Sequence, residues 1–397
     1  MTFYNDGIIG ELTREVTRKG REFDFQKIES ALLKGTFNDQ GPFYAQTLYG
    51  QMVIKTIIRD DNLLNHRFEK TMVSSEDPFY GFILEEMQRV LDLYHYDFKA
   101  NYGRRDYRCL EEPIFTVENL KLYEAFESKK PEILLHEINL YIYTNGLGLF
   151  EGNRSFRINY KDELVAIKGK PRKALKDLLG YELQKESLYQ NTKALIEGKQ
   201  ALNVLLEGDM GTGKSTMVKA LINEFDDPKF KMVEIKKSQF DRLPQLIEKL
   251  KDRPYAFIFF IDDLSFEKDD DTYKTFKTVL EGSLEESPQN ICIYATSNKR
   301  HLITETLEER KNAVHQRDVM EEKLSLVSRF GIVLAFSEPV QKEYLAIVQS
   351  LAKEQQIKMP PEALEAAAKT WAMEHLNRSG RTAEQFIAHL SAQQQNG

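Results

Sequence analysis

Eight residues, Gly208-Asp209-Met210-Gly211-Thr212-Gly213-Lys214-Ser215, follow the pattern G-x-x-x-x-G-K-[ST]. The residue types are those a polyphosphate needs. Glycines let backbone N–H groups turn inward and approach an anion with no Cβ in the way. Lys214 supplies a point charge to the outer phosphate oxygens, and the Ser215 hydroxyl can sit on Mg²⁺. Thr216 continues into a helix whose positive end is aimed at the anion.

Triphosphate chemistry needs more than a cradle. A carboxylate must hold Mg²⁺ and a second must polarise the attacking water. The run Ala256-Phe257-Ile258-Phe259-Phe260-Ile261-Asp262-Asp263 ends an apolar stretch in two acids. Asp262 is the metal-side candidate and Asp263 the candidate for activating water. Asp263 is one methylene shorter than a glutamate, which makes Glu267 the alternative. Asn298, with Thr296 as runner-up, follows the next apolar stretch and can reach between the terminal phosphate and the water. Arg329, in Leu324-Ser325-Leu326-Val327-Ser328-Arg329-Phe330-Gly331, can stabilise transition-state charge on a nucleotide held by a neighbouring subunit. Arg381, with Arg378 as competitor, can reach the nucleotide from the C-terminal region.

Elements must position these groups. Asn203–Leu206 reads as a buried strand ahead of the glycine loop, and Thr216–Ile222 as a helix after it. From about 172 to 337 strands and helices alternate, which predicts a parallel sheet. Its strands are Asn203–Leu206, Phe230–Ile235, Tyr255–Ile261, Asn290–Thr296 and Gly331–Phe336, mostly unbroken apolar runs suited to burial on both faces. Beyond Glu338 three helices are predicted. The first carries the stripe Tyr344, Leu345, Ile347, Val348 and Leu351. The second opens at Pro360-Pro361 and contains Leu364, Ala367, Trp371 and Ala372. The third starts near Thr382 with Phe386, Ile387 and Leu390. Residues 1–170 are rich in Phe and Tyr and mainly helical in pattern, as in Phe82–Leu91. Two strand-like pieces, Glu137–Tyr143 and Ser155–Tyr160, come late in that region, with Asn145-Gly146 as a turn signal. Gly169-Lys170-Pro171 marks the expected boundary. The organisation is therefore an N-terminal region (1–170), an α/β core (171–337) and a helical lid (338–397).

The composition narrows the class. With 41 % hydrophobic and 29 % charged residues the 397-residue chain is ordinary for a globular protein of two or three domains. A formal net charge of −7 gives no whole-protein field that attracts nucleic acid. The two cysteines, Cys109 and Cys292, are far apart, and Cys292 in its apolar run reads as a buried free thiol, suited to a reducing compartment. No run approaches the roughly 18 apolar residues of a membrane span. The expectation is a soluble, cytoplasmic protein.

In this order the motifs resemble those of the AAA+ ATPases: Walker A at Gly208–Ser215, Walker B at Asp262-Asp263, sensor 1 at Asn298, an arginine finger at Arg329 and sensor 2 at Arg381. More narrowly, the chain is similar to an uncharacterised bacterial group of predicted AAA+ ATPases. The likeness runs through Leu178-Leu179-Gly180-Tyr181-Glu182, Ile261–Glu267, Tyr294–Leu302, Glu321–Leu326 and Ser379-Gly380-Arg381. It implies a five-stranded αβα P-loop core with a helical lid, and ATP rather than GTP. It also implies Gly180 and Tyr181 near the adenine and a homo-oligomer, either a ring (a hexamer, for example) or a filament. Protein-threading members carry an aromatic–apolar–Gly loop after the second strand. Here Lys236–Leu243 has only Phe240 and no glycine, which argues against an unfoldase. The expected function is ATP hydrolysis driving an unidentified client. The alternative is a slow-turnover, nucleotide-gated switch, and a P-loop small-molecule kinase is disfavoured by Asn298, Arg329 and the three-helix tail.

Overall fold

The fold is described from a computed structural model, which covers residues 45, 47–96, 117–169, 171–266, 271–281, 288–298 and 326–395. Contacts divide the chain into two compact units, one through Gly152 and one from Asn153 onward.

The described part of the N-terminal unit is helical: α1 (Leu48–Arg59), α2 (Leu63–Lys70), α3 (Tyr80–Tyr94), α4 (Val117–Glu127) and α5 (Pro131–Asn145). Ile57, Phe68, Met87, Phe126 and Ile138 bury its core. Asn139 ties α5 to the end of α2. Its amide donates to the Phe68 and Thr71 carbonyls, both at 3.0 Å, and its oxygen accepts from Val73 N at 2.7 Å. The expected strand at Glu137–Tyr143 is the middle of α5. The alternation is real over seven residues. Leu134, Leu135, Ile138, Tyr141 and Ile142, buried at helical spacing, decide the longer window. Asn145-Gly146 accordingly ends a helix, with Gly146 at φ +90° and its N–H on Ile142 O.

The second unit is built on a seven-stranded sheet: β1 (Ser155–Ile158), β2 (Leu164–Ala166), β3 (Val204–Gly208), β4 (Phe230–Ile235), β5 (Ala256–Ile261), β6 (Ile291–Ser297) and β7 (Ile332–Phe336), in the order β2-β1-β4-β5-β6-β3-β7. All five expected core strands are present and pair in parallel. β5 is buried at all six positions, as its unbroken apolar run requires. The helices between them are α6 (Glu182–Ile196), α7 (Lys214–Glu224), α8 (Leu243–Leu250) and α9 (Asp271–Glu281). A lid of α10 (Gln341–Glu354), α11 (Pro361–Glu374) and α12 (Gly380–Gln395) closes on its own core of Tyr344, Val348, Leu364, Ala368, Phe386 and Ile387. This is the expected αβα core, its central strands parallel, followed by a helical lid.

β1, expected as Ser155–Tyr160 in the N-terminal region, extends this sheet instead, and with it β2, which the sequence did not suggest. β1 pairs in parallel with β4 and antiparallel with β2. Phe156 is fully buried there, and Gln239 donates to Ile158 O at 3.1 Å. The contacts therefore divide after Gly152 rather than near Gly169-Lys170-Pro171. Phe240 is buried and stacks on Phe276 with ring centroids 4.7 Å apart, so it is a core residue. Cys292 is buried and free, and burial pushes its thiol up to about 12. Among the described residues no helix is long and apolar enough to cross a membrane.

Candidate functional site

In a parallel sheet the carboxyl ends of the strands share one edge, where ligand-binding loops gather. The glycine loop follows β3, the Asp pair follows β5, and Asn298 follows β6. β6 lies between β5 and β3, so its tip stands between loop and acids.

Two glycines of the loop are fixed by close approach. Gly208 has φ +135°, and a Cβ there would lie 1.9 Å from the Phe336 carbonyl oxygen on β7. Gly211 has φ +79°, and a Cβ would meet Ser379 Oγ at 2.5 Å, ahead of α12. The lid thus rests directly on the loop. Glu338 N donates to Asp209 Oδ2 at 3.0 Å, and Arg381 N approaches Gly211 O at 3.4 Å. Lys214 is buried. Its Nζ donates to the carbonyls of Gly208 (3.0 Å) and Asp209 (2.7 Å), folding the charge over its own loop. Desolvation holds its pKa below the usual lysine value, against the attraction of Asp209, Asp263 and Asp262. An incoming polyphosphate would oppose that shift.

The acids form one network with the β6 tip. Ser215 Oγ and Thr296 Oγ1 both donate to Asp262 Oδ1, the latter at 2.7 Å. Asp263 N donates to Thr296 Oγ1 at 3.0 Å, and Leu264 N to Thr296 O at 2.7 Å. Asn298 Nδ2 donates to Asp263 Oδ1 at 2.8 Å. Asp263 sits at φ +55°, a left-handed conformation uncommon outside glycine and found where a site holds strain. A hydroxyl and a carboxylate side by side, facing a lysine, suit a Mg²⁺ ion carried in by phosphates.

Lid, loop and β tips enclose a cavity of about 470 Å³, within the range of small-molecule sites. Of the expected residues, Tyr181, Met210, Gly211, Thr212, Gly213, Lys214, Ser215, Thr216, Asp262, Asp263, Asn298 and Arg381 all line it. Gly208, Asp209 and Gly180 do not; they shape the chain behind it. Gly180 and Tyr181, at φ +80° and +58°, make the left-handed entry to α6. The Tyr181 hydroxyl donates to Ser337 O at 2.6 Å, and its ring packs on Phe336 with centroids 4.9 Å apart. Burial, then Glu343, Asp209 and Glu338, push this phenol up to about 12. It is a neutral donor at any physiological pH. Between the competing lid arginines, Arg381 lines the cavity, whereas Arg378 pairs with Glu338 at 3.8 Å. Arg329 is exposed in the turn before β7 and does not line it. Glu267, Ser325 and Lys299-Arg300-His301 lie outside the described residues.

Sequence reasoning missed the apolar wall. Leu178, Leu179, Pro339, Ile347 and Leu351 face the cavity beside Tyr181. A signal existed: the stripe on α10 is wider than a lid core needs. Tyr344 and Val348 are its buried members, while Ile347 and Leu351 are half-buried and reach the cavity.

Residues 152–394 match the family described as "Protein of unknown function (DUF815)", which is more than half of the chain. The chain belongs to the DUF815 family. No curated protein matches it. Among solved structures the DUF815 chain is similar to a lysine-to-arginine point mutant of Thermotoga maritima RuvB at 17 % identity and a TM-score of 0.41, covering 55 % of this chain and 64 % of that one. A second match is the Thermotoga maritima RuvB Holliday junction branch migration motor, at 16 % identity and a TM-score of 0.37, covering 55 % and 71 %. The alignment thus spans less than two thirds of the first RuvB chain.

Proposed function

We propose that this DUF815 protein binds ATP with Mg²⁺ in the cavity between core and lid and hydrolyses it, working as a cytoplasmic homo-oligomer on a client. The observation that carries the reading is the convergence on one cavity of Lys214, Ser215, Asp262, Asp263, Asn298 and Arg381, which four separate elements contribute. In this reading the backbone of Gly208–Gly213 and Lys214 cradle the β- and γ-phosphates. Ser215 and Asp262 hold the metal, which supplies charge neutralisation on the phosphates. Asp263 takes the proton of the attacking water, Asn298 orients that water, and Arg381 reports the terminal phosphate to the lid. The apolar wall with Tyr181 takes the base. Arg329 acts on a neighbour's nucleotide.

Steady-state phosphate release tests this directly. Lys214→Ala and Asp263→Asn should each lower turnover by about 100-fold or more. Wild-type turnover no higher than that of the two variants would sink the proposal.

One observation favours a second reading, a slow nucleotide-gated switch. Asp263 is short, strained and already engaged by Asn298. Under that reading ATP stays bound through gel filtration and turns over rarely, whereas a motor would exchange it.

A further inference from the structure

Thr296 has no role in the reading above, yet its hydroxyl bonds both acids, the side chain of Asp262 and the backbone of Asp263. We propose that Thr296 is the positioning residue of the acid pair, setting the metal-side carboxylate and the water-side backbone together. The inference rests on the nucleotide reading and deepens it.

A threonine hydroxyl has one donor and two acceptor sites. Here the donor goes to Asp262 Oδ1 at 2.7 Å and one acceptor takes Asp263 N at 3.0 Å. Thr296 is 2 % exposed on a central strand and does not line the cavity, so its hydroxyl faces the acids and not a phosphate. Its backbone adds a third tie, Leu264 N on Thr296 O. The chain leaves β5 pinned on both sides of Asp263, and Asp263 between the two pins is the residue held at φ +55°. Aspartate enters the left-handed region more readily than most residues, and the two bonds to Thr296 hold the turn there. The β-branch stiffens χ1, so the hydroxyl keeps its aim without a further partner.

The other contact of Asp262 Oδ1 is Ser215 Oγ, on the glycine loop. Thr296 therefore also fixes the oxygen that the loop's own metal-side hydroxyl meets. Groups that orient metal ligands from behind typically govern metal affinity by about 10–100-fold. Thr296 should then act on the Mg²⁺-dependent part of ATP binding and leave the rest alone.

The test is titration of a fluorescent ATP analogue into the full chain, with Mg²⁺ and with EDTA. For Thr296→Val, which keeps the shape and loses the hydroxyl, the Mg²⁺-dependent gain in affinity should fall about 10-fold or more. Affinity in EDTA should stay close to wild type, and the unliganded melting temperature should fall, since Asp263 N loses its partner. Thr296→Ser, which restores the hydroxyl, should recover the gain; a merely structural role would not predict that recovery. If Val does not fold, Thr296→Ala carries the same expectation. An undiminished Mg²⁺ gain without the hydroxyl overturns the proposal, as does a Ser variant as weak as Val. A wild-type chain that binds no analogue in either buffer overturns the nucleotide reading itself.

Discussion

Two glycines of the loop that look alike in the sequence do different work. A Cβ on Gly208 would stand 1.9 Å from a β7 carbonyl oxygen, and backbone cannot step aside. A Cβ on Gly213, at φ +92°, would meet nothing within 4 Å. Gly208→Ala should therefore cost about 3 kcal/mol or more, strain and overlap together. Gly213→Ala should cost only the left-handed strain, roughly 1–2 kcal/mol. Its larger effect should be on ligand, because the open space before Gly213 is where a phosphate would approach. Urea unfolding paired with ATP titration checks both, and equal stability losses would count against the distinction. The motif itself was legible because its residue types follow from phosphate chemistry. Which glycine is held by a neighbouring strand was not, since the β3–β7 register joins residues more than a hundred positions apart. The same holds for Thr296 and Asp262: a hydroxyl on β6 and a carboxylate just past β5 meet only after the sheet forms.

At the level of elements, the five core strands were readable because double-sided burial demands long apolar runs. The sheet's edge was not. β1 was readable as the strand-like Ser155–Tyr160, but its partner β4 lies beyond two helices in sequence, and β2, three residues long, carries no pattern of its own. Their contribution is nonetheless specific. Phe156 and Ile158 are buried, Met232 N bonds Arg154 O at 2.8 Å, and the buried Lys231 donates to Asn153 O at 2.6 Å. Losing the two apolar side chains alone removes roughly 3–6 kcal/mol of burial, comparable with the whole stability of many domains. It also opens β4 as an unpaired edge. A fragment of residues 153–397 should thus unfold cooperatively and stay soluble. One of residues 171–397, cut at the boundary the sequence suggested, should unfold at lower urea and aggregate. Denaturation curves and size-exclusion chromatography of the two fragments decide the point, and equal behaviour would mean β1 and β2 are dispensable. The lid taught the converse lesson. Its helices were legible by periodicity, but a single stripe on α10 serves two surfaces, its own core and the cavity, and periodicity does not divide them.

For the whole molecule, the decisive geometry is where Arg329 lies relative to the cavity of its own chain. Gly208 and Phe336 pair at the carboxyl end of the sheet, beside the loop. Arg329 lies in the turn before β7 and so stands beyond the opposite end of that strand, whose five residues alone span roughly 13 Å. No side chain spans that gap, so an arginine acting on phosphate from this position must act on another copy's. On the proposed function, that placement calls for a head-to-tail contact, which closes into a ring or runs on as a filament. Three measurements follow from it. Arg329→Ala should lose most turnover, by as much as the roughly 10³-fold or more seen for such arginines, while keeping ATP affinity. Lys214→Ala should lose binding itself. Mixed one to one, the two inactive variants should regain activity, because an Arg329→Ala loop facing the arginine of a Lys214→Ala neighbour is a complete site. In a randomly mixed head-to-tail assembly about a quarter of interfaces have that composition. The recovered rate should approach about a quarter of wild type if sites turn over independently. Recovery should also vanish on dilution below the assembly concentration. Mixed oligomers of confirmed composition that stay inactive would place Arg329 outside the catalytic cycle and leave each cavity to work alone.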